Sequence, residues 1–430
     1  RGTGQPGYQK AADFMAARFK EFGLKPGGDS GSYFQQVPFQ RTTVKAADSY
    51  VDFGGKVKVA VGDGAAFSSV ARDLDLKGSL AIVEVPATQE TLPADAQLEG
   101  KVVLLSGQPS QKFRLSVNQQ RPQLVITVAK EVVQAQGVLR ASGAGQMRGR
   151  PSLRISEAAF GRLVEGLRLP GELGKGDQYR IHAIDGETQV VAKVETEVVN
   201  VPNVVGVLEG SDPLLKEEYV GLGAHLDHLG TDGTTTYWGA DDDGSGNTAL
   251  LAVAKAFANN PIKPKRSVVF MAFCGEEMGL VGSRYYASNP TVPLEKMICE
   301  LQMDMVGRNE ETPAEKPEEN VDTIHLVGSK RISTELHDLI LDVNKHVGFK
   351  FEYDEEDVYT RSDHYSFAAK GVPIAFIFSG FHPDYHKPTD TVDKINFEKI
   401  SNAARLFFLT AFEAANREKA FQKNVSGSGG

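Results

Sequence analysis

His225 and Asp227, the run Asp241-Asp242-Asp243, the pair Glu276-Glu277, Asp304, and His386 beside Tyr385 are residue types that hold divalent cations and move protons. Two histidines with several carboxylates and no thiolate are the donor set of a hydrolytic zinc centre, and three or more carboxylates with two histidines can hold two ions. The charges balance for two. Three carboxylates and a hydroxide offset two divalent cations, whereas three carboxylates converging alone would repel one another and raise each other's pKa. Two ions sharing a water would lower its pKa and stabilise a developing oxyanion. A further carboxylate is then needed to move protons, and Glu276 and Glu277 supply a base and a ligand on adjacent positions.

Each element has a plainer explanation. A His-x-Asp pair is commonly a structural hydrogen bond, and aspartates before a helix cap its N-terminus and oppose its dipole. Asp304 at a strand end could close a loop, and His386 before Lys387-Pro388 could be a surface residue. What separates the two explanations is placement. Strands are predicted over Tyr219–Ala224, Ser267–Phe273, Met297–Met303, Thr323–Val327 and Val372–Phe378, with helices over Ser245–Ala258, Ile332–Val347 and Phe397–Asn416. The candidates fall at the carboxyl ends of these strands or in the turn before the first of these helices. That edge is where open α/β sheets gather their ligands. His325, His346, His182 and His337 lie within predicted elements or in a β-rich tract, and are read as structural.

Upstream, Tyr8, Ala12, Met15, Phe19 and Phe22 keep helical spacing until Gly23 and Pro26 end it. From about Val44 to Val199 the texture becomes short β-branched runs between Gly, Pro, Asp and Ser, with one helix near Glu157–Leu167. After Asn200, strand and helix alternate, the pattern of a layered α/β domain. The stretch Glu310–Asn320, rich in Glu and Pro, reads as a solvated loop, and Ser426–Gly430 as a flexible tail.

The chain has 430 residues, 41% of them hydrophobic, enough for two or three domains with real cores. Its 56 acids against 47 bases give −9, the wrong sign for a protein that binds a nucleic-acid backbone. No apolar run approaches the ~18 residues of a membrane span. Cys274 and Cys299 are too few for a disulfide framework or a thiolate zinc site, though one optional disulfide stays open. A start at Arg1 without Met suggests that an upstream targeting segment has been removed.

Six blocks occur in an order that resembles the M28 family of zinc aminopeptidases: His225-Leu226-Asp227-His228, Gly239 to Gly246, Phe273 to Ser283, Met303 to Gly307, Arg361-Ser362-Asp363-His364 and Tyr385 to Thr391. The resemblance covers the first ~45 residues and the region after Asn200. It implies a zinc-peptidase α/β fold, a three-layer α/β/α mixed sheet, with an inserted β-rich domain similar to the protease-associated domain. The expected layout is a split catalytic domain over 1–45 and 197–423, the insertion over 46–196, and a flexible tail over 424–430.

Carried over residue by residue, the resemblance implies two zinc ions per chain bridged by Asp242. His225 and Asp304 would complete one site, and Glu277 with His386 the other. Glu276 would be the general base, Asp227 the partner that orients His225, and Tyr385 the donor to the oxyanion, with Arg361 holding substrate. The expected activity is removal of N-terminal residues from peptides, since an acidic site favours an α-ammonium. The expected location is secreted or periplasmic. Trp238 and Phe381 flank the motifs and could line a side-chain pocket. Alternatives are a carboxypeptidase or dipeptidase of the same family, a mono-zinc glutaminyl cyclase, and a non-catalytic peptidase-like binding module. The last is disfavoured because no motif ligand is missing.

Overall fold

The computed structural model describes residues 1–67, 70–86, 91–93, 95–134, 137–142, 151–170, 173, 179–231, 235–353 and 358–424. Two compact units emerge, Arg1–Pro38 with Asn200–Gly430, and Phe39–Val199. Their boundaries fall at 38/39 and 199/200 rather than at 45/46 and 196/197. The strands Phe34–Val44 and Val194–Leu208 run unbroken through the two junctions, so no linker composition marks them.

The larger unit is a mixed sheet with helices packed on it. In chain order its strands are β1 (Val194–Leu208), β2 (Tyr219–His225), β3 (Ser267–Phe273), β4 (Met297–Met303), β5 (Thr323–Val327), β6 (Lys350–Glu352) and β7 (Ile374–Phe378). Their order across the sheet is β6-β5-β7-β4-β2-β3-β1. The centre β3-β2-β4-β7 is parallel, whereas β5 runs antiparallel to β7 and β1 antiparallel to β3. From β2 the chain goes first to a neighbour on one side, β3, and then to the other, β4. This is a topological switch point, and a crevice opens at the carboxyl end of β2.

Every residue of β3 and β4 is buried, as expected of parallel strands covered on both faces. On one face Phe270 packs against Phe19 of the helix α1 (Pro6–Glu21) and Phe257 of α2 (Gly244–Asn259), which in turn meets Phe408 of α3 (Phe397–Asn416). On the other, Phe273 packs against Tyr286 and Phe367 within a cluster that includes Val269 and Met271. A single helix over Ile332–Val347 does not form. Extended Ser333 (φ −142°, ψ 114°) separates a short turn of helix from Thr334–Asn344, which buries Leu336, Ile340 and Val343. The tail expected over 424–430 lies outside the described residues from 425 onward, but Asn424 itself donates to the Ile332 carbonyl and accepts from Thr334.

The unit Phe39–Val199 is built on an eight-stranded mixed sheet among the described residues, with helices Gln111–Gln119 and Glu157–Gly166. Ser110 and Ser156 cap these helices by accepting from the third amide onward. The first was not expected, because its polar sequence carries only a short apolar face. His182 pairs with Glu84 at 2.6 Å, a structural role. Among the described residues no helix is long and apolar enough to cross a membrane. Cys274 and Cys299 are buried free thiols.

Phe270 reaches both α1 and α2 from the centre of the sheet. Phe270→Ala is expected to lower the stability of the larger unit by about 3–5 kcal/mol, read as a shift in its denaturant transition.

Candidate metal centre

His225 ends β2 fully buried, with its Nε2 3.1 Å from Asp242 Oδ1 and 3.4 Å from Asp304 Oδ1. On the other side of the same carboxylate, His386 Nε2 lies 3.1 Å from Asp242 Oδ2 and 3.1 Å from Glu277 Oε2. Asp242 therefore turns one oxygen to each of two donor sets. Asp304 follows β4 directly, and its Oδ2 accepts from Ser362 Oγ at 2.6 Å. Asp227 Oδ1 stands 3.8 Å from His225 Nδ1 and accepts from the Glu276 amide at 3.1 Å.

The three aspartates of the turn before α2 have separate tasks. Asp241 Oδ1 accepts from the Gly307 amide at 2.7 Å, and its Oδ2 lies 3.2 Å from His382 Nε2. Asp243 accepts from the His225, Gly246 and Met305 amides, so one carboxylate ties the end of β2, the start of α2 and the residue after Asp304. Only Asp242 points into the site, held from behind because its amide donates to Asp390. A Cβ at Gly246 would run into the Asp243 carboxylate and the Met303 carbonyl, which explains a glycine inside this first helical turn.

One residue of the site was not singled out from the sequence. His228 is buried with Nδ1 2.8 Å from Glu277 Oε1 and 3.6 Å from Asp242 Oδ2, so it groups with Asp242 and Glu277 as a possible donor. Its signal was present as the last residue of His225-Leu226-Asp227-His228, but position in a turn does not say which way a ring faces. His386 reaches the site from a left-handed backbone conformation, φ 56°, which side chains adopt at a cost of about 1–3 kcal/mol.

Burial opposes the ionisation of Asp242, yet the rings of His225 and His386 hold its carboxyl below the usual range. Glu277 is likewise lowered, against burial, by His228 and His386. Glu276 behaves differently. Burial pushes it well above the usual range, opposed by His225 and reinforced by Asp304. With nitrogen and oxygen donors only, and two sets sharing one carboxylate, the residues present fit zinc.

The centre opens on a cleft that Glu276 also lines. Met305, Val358, Phe376, Phe378 and Phe381 line it with apolar surface, and Arg361 and Tyr385, both in contact with Phe381, line it too. Arg361 Nη2 donates to Tyr385 Oη at 3.2 Å, and the Tyr385 ring stacks on His386 with centroids 3.9 Å apart. Trp238 does not join this cleft. It is exposed and borders a separate groove with Val392 and Phe397.

The segment expected to be a solvated loop is anchored at both ends, because Glu310 and Asn320 are buried. Glu310, His325 and Glu352 also group as possible donors. Glu310 already accepts from the Phe381 amide at 3.3 Å and pairs with His325 at 3.0 Å, so it steadies the loop that carries Tyr385 and His386.

Residues 203–411 match Peptidase family M28, and the larger unit belongs to that family. A probable leucine aminopeptidase of Arthroderma benhamiae is 27% identical over 225 residues, covering 50% of this chain and 58% of that protein. Aminopeptidase YwaD of Bacillus subtilis is 27% identical over 192 residues, 42% of this chain and 39% of its own. The chain thus spans 58% or less of the length of these curated relatives. Among solved structures, the aminopeptidase from Aneurinibacillus sp. strain AM-1 aligns with TM-score 0.56 at 21% identity, covering 99% of this chain and 93% of that one. The zinc aminopeptidase BSAP from Bacillus subtilis aligns with TM-score 0.58 at 19% identity, covering 98% and 92%. At these identities the likeness shows the fold.

Glu277 faces two histidines and the shared Asp242. Glu277→Ala is expected to weaken binding of one zinc at least about tenfold, as removal of a ligand or its support does, and elemental analysis after dialysis should then find less zinc per chain than in the parent.

Proposed function

We propose that this protein is a dinuclear zinc aminopeptidase, and the observation that carries the reading is the Asp242 carboxylate turned at once to His225 and Asp304 and to His386 and Glu277. When bound, two zinc ions would supply an acidified water and polarise the scissile carbonyl. The remaining work falls to the chain's own groups.

Glu276 lines the cleft without taking part in either donor set, and burial raises its pKa, the environment of a group that must both take and return a proton. It removes a proton from the attacking water and delivers it to the nitrogen of the leaving amine. Its backbone amide is fixed on Asp227, which sets where the side chain begins. The Tyr385 hydroxyl, which lines the same cleft, donates to the carbonyl oxygen as negative charge develops there. Stacking on His386 restricts its ring.

The carboxyl groups of Asp242, Asp304, Glu276 and Glu277 give the reacting end an acidic, acceptor-rich lining, which favours a substrate's α-ammonium over a carboxylate. The apolar wall of Met305, Phe376, Phe378 and Phe381 suits a large aliphatic or aromatic first side chain. The relatives named leucine aminopeptidase support that choice. A second reading rests on Arg361: a guanidinium on the cleft wall could pair the C-terminal carboxylate of a dipeptide, making the enzyme a dipeptidase. Comparing rates on dipeptides and on longer peptides with the same first residue separates the two. We further infer that residues 39–199 are an inserted protease-associated domain. The structural alignments to related aminopeptidases run over nearly the whole chain, this unit included.

Glu276→Gln is expected to cut turnover about 10²–10⁴-fold, the usual contribution of a general base, while zinc content stays at the parental level. Activity within twofold of the parent would remove Glu276 from this role. Aminoacyl anilides of Leu and Phe should be cleaved and their N-acetylated counterparts left intact; equal rates on both would refute the aminopeptidase reading.

A further inference from the structure

The turns that carry the site are stitched together by the first residues of the chain. The Arg1 guanidinium donates to the carbonyls of Leu226 (3.0 Å), Trp238 (3.0 Å), Gly239 (2.9 Å) and Asp242 (3.3 Å), and the Arg1 carbonyl accepts from the His228 amide at 3.2 Å. One side chain therefore spans the His225 turn and the Asp242 turn. Two residues on, Thr3 Oγ1 donates to Asp227 Oδ2 at 2.8 Å and accepts from the Gly275 amide at 3.1 Å.

Asp227 is fully buried, so the direction of its carboxylate plane is set by its protein partners. Its Oδ1 serves the Glu276 amide and faces His225 Nδ1, and its Oδ2 is held by Thr3. A carboxylate behind an imidazole favours the tautomer protonated on that side and makes the opposite nitrogen a better metal donor; at 3.8 Å, Asp227 acts on the His225 ring through its charge. Here the opposite nitrogen is His225 Nε2, which faces Asp242 and Asp304.

We propose that Thr3 is a positioning residue of the metal centre, its hydroxyl orienting the Asp227 carboxylate behind His225 while also holding the amide next to Glu276. This rests on the zinc reading above. The hydroxyl matters in both of its roles: it donates to a buried carboxylate and accepts from the glycine that precedes the proposed base. Valine has nearly the same shape and can do neither. Serine can do both. Arg1 keeps the segment seated, since its five donors in a planar fork can meet several carbonyls at once.

The test uses the full chain, with Zn²⁺ and Co²⁺ affinities measured by competition against a chromophoric chelator and the visible spectrum of the Co²⁺ form recorded. Thr3→Val is expected to weaken one of the two ions about 10–100-fold, the effect of losing a partner behind a ligating histidine, and to alter the Co²⁺ spectrum. Thr3→Ser should restore both to the parental values. Parental affinity and spectrum in Thr3→Val would overturn the proposal. So would an equal loss in Thr3→Ser, or a loss in Thr3→Val matched by a lowered melting temperature of the metal-free protein, since either describes a general packing role. A parent chain that binds neither ion would instead defeat the zinc reading on which the proposal stands.

Discussion

Asp242 is buried with its two oxygens turned to different partners, Oδ1 toward His225 and Asp304, Oδ2 toward His386, His228 and Glu277. Gathering the carboxylates of Asp242, Asp304 and Glu277 away from water is unfavourable unless positive charge meets them. Histidines on both sides supply part of it, and the donor set suits divalent cations for the remainder. Much of the surrounding architecture reads as a means of holding this unfavourable gathering in place.

The backbone does that holding at a topological switch. Because β3 and β4 flank β2 on opposite sides and run parallel to it, the segments after all three reach the same edge. Amides freed where the strands end, and in the turn that opens α2, are then paired with carboxylates outside the two donor sets. Asp243 takes three of them, Asp390 takes two, and Asp227 takes one. These acids act as fasteners for the ones that face the site. The division of labour explains why so many acids cluster here, and why the net charge of −9 says little about how many serve chemistry.

The layered fold was legible because its strands are long apolar runs with polar residues immediately after them, and β3 and β4 lie where the pattern placed them. The domain junctions were not legible, since continuous strands pass through both. The break at Ser333 was hidden too, because a residue that packs well in helix or extended chain leaves no mark on the hydrophobic period. Glu310 lay in a stretch whose composition suggests solvent. It is buried through a pairing with His325 from a strand fifteen positions away, which local composition cannot register. Trp238 was misplaced for the same reason: nearness to a motif in sequence does not fix which groove a side chain borders.

From the sequence alone came the donor types, their absence of thiolates, and their recurrence at strand ends, because those depend on side-chain chemistry and on periodicities of two and 3.6 residues. Which of Asp241, Asp242 and Asp243 faces the centre, that His228 faces it as well, and that Thr3 stands behind Asp227, were decided only in three dimensions. Adjacent residues of a turn project in different directions. The groups that claim each direction, the Gly307 amide for Asp241, the Gly246 amide for Asp243 and the His225 and His386 rings for Asp242, come from parts of the chain that meet only once the sheet has formed.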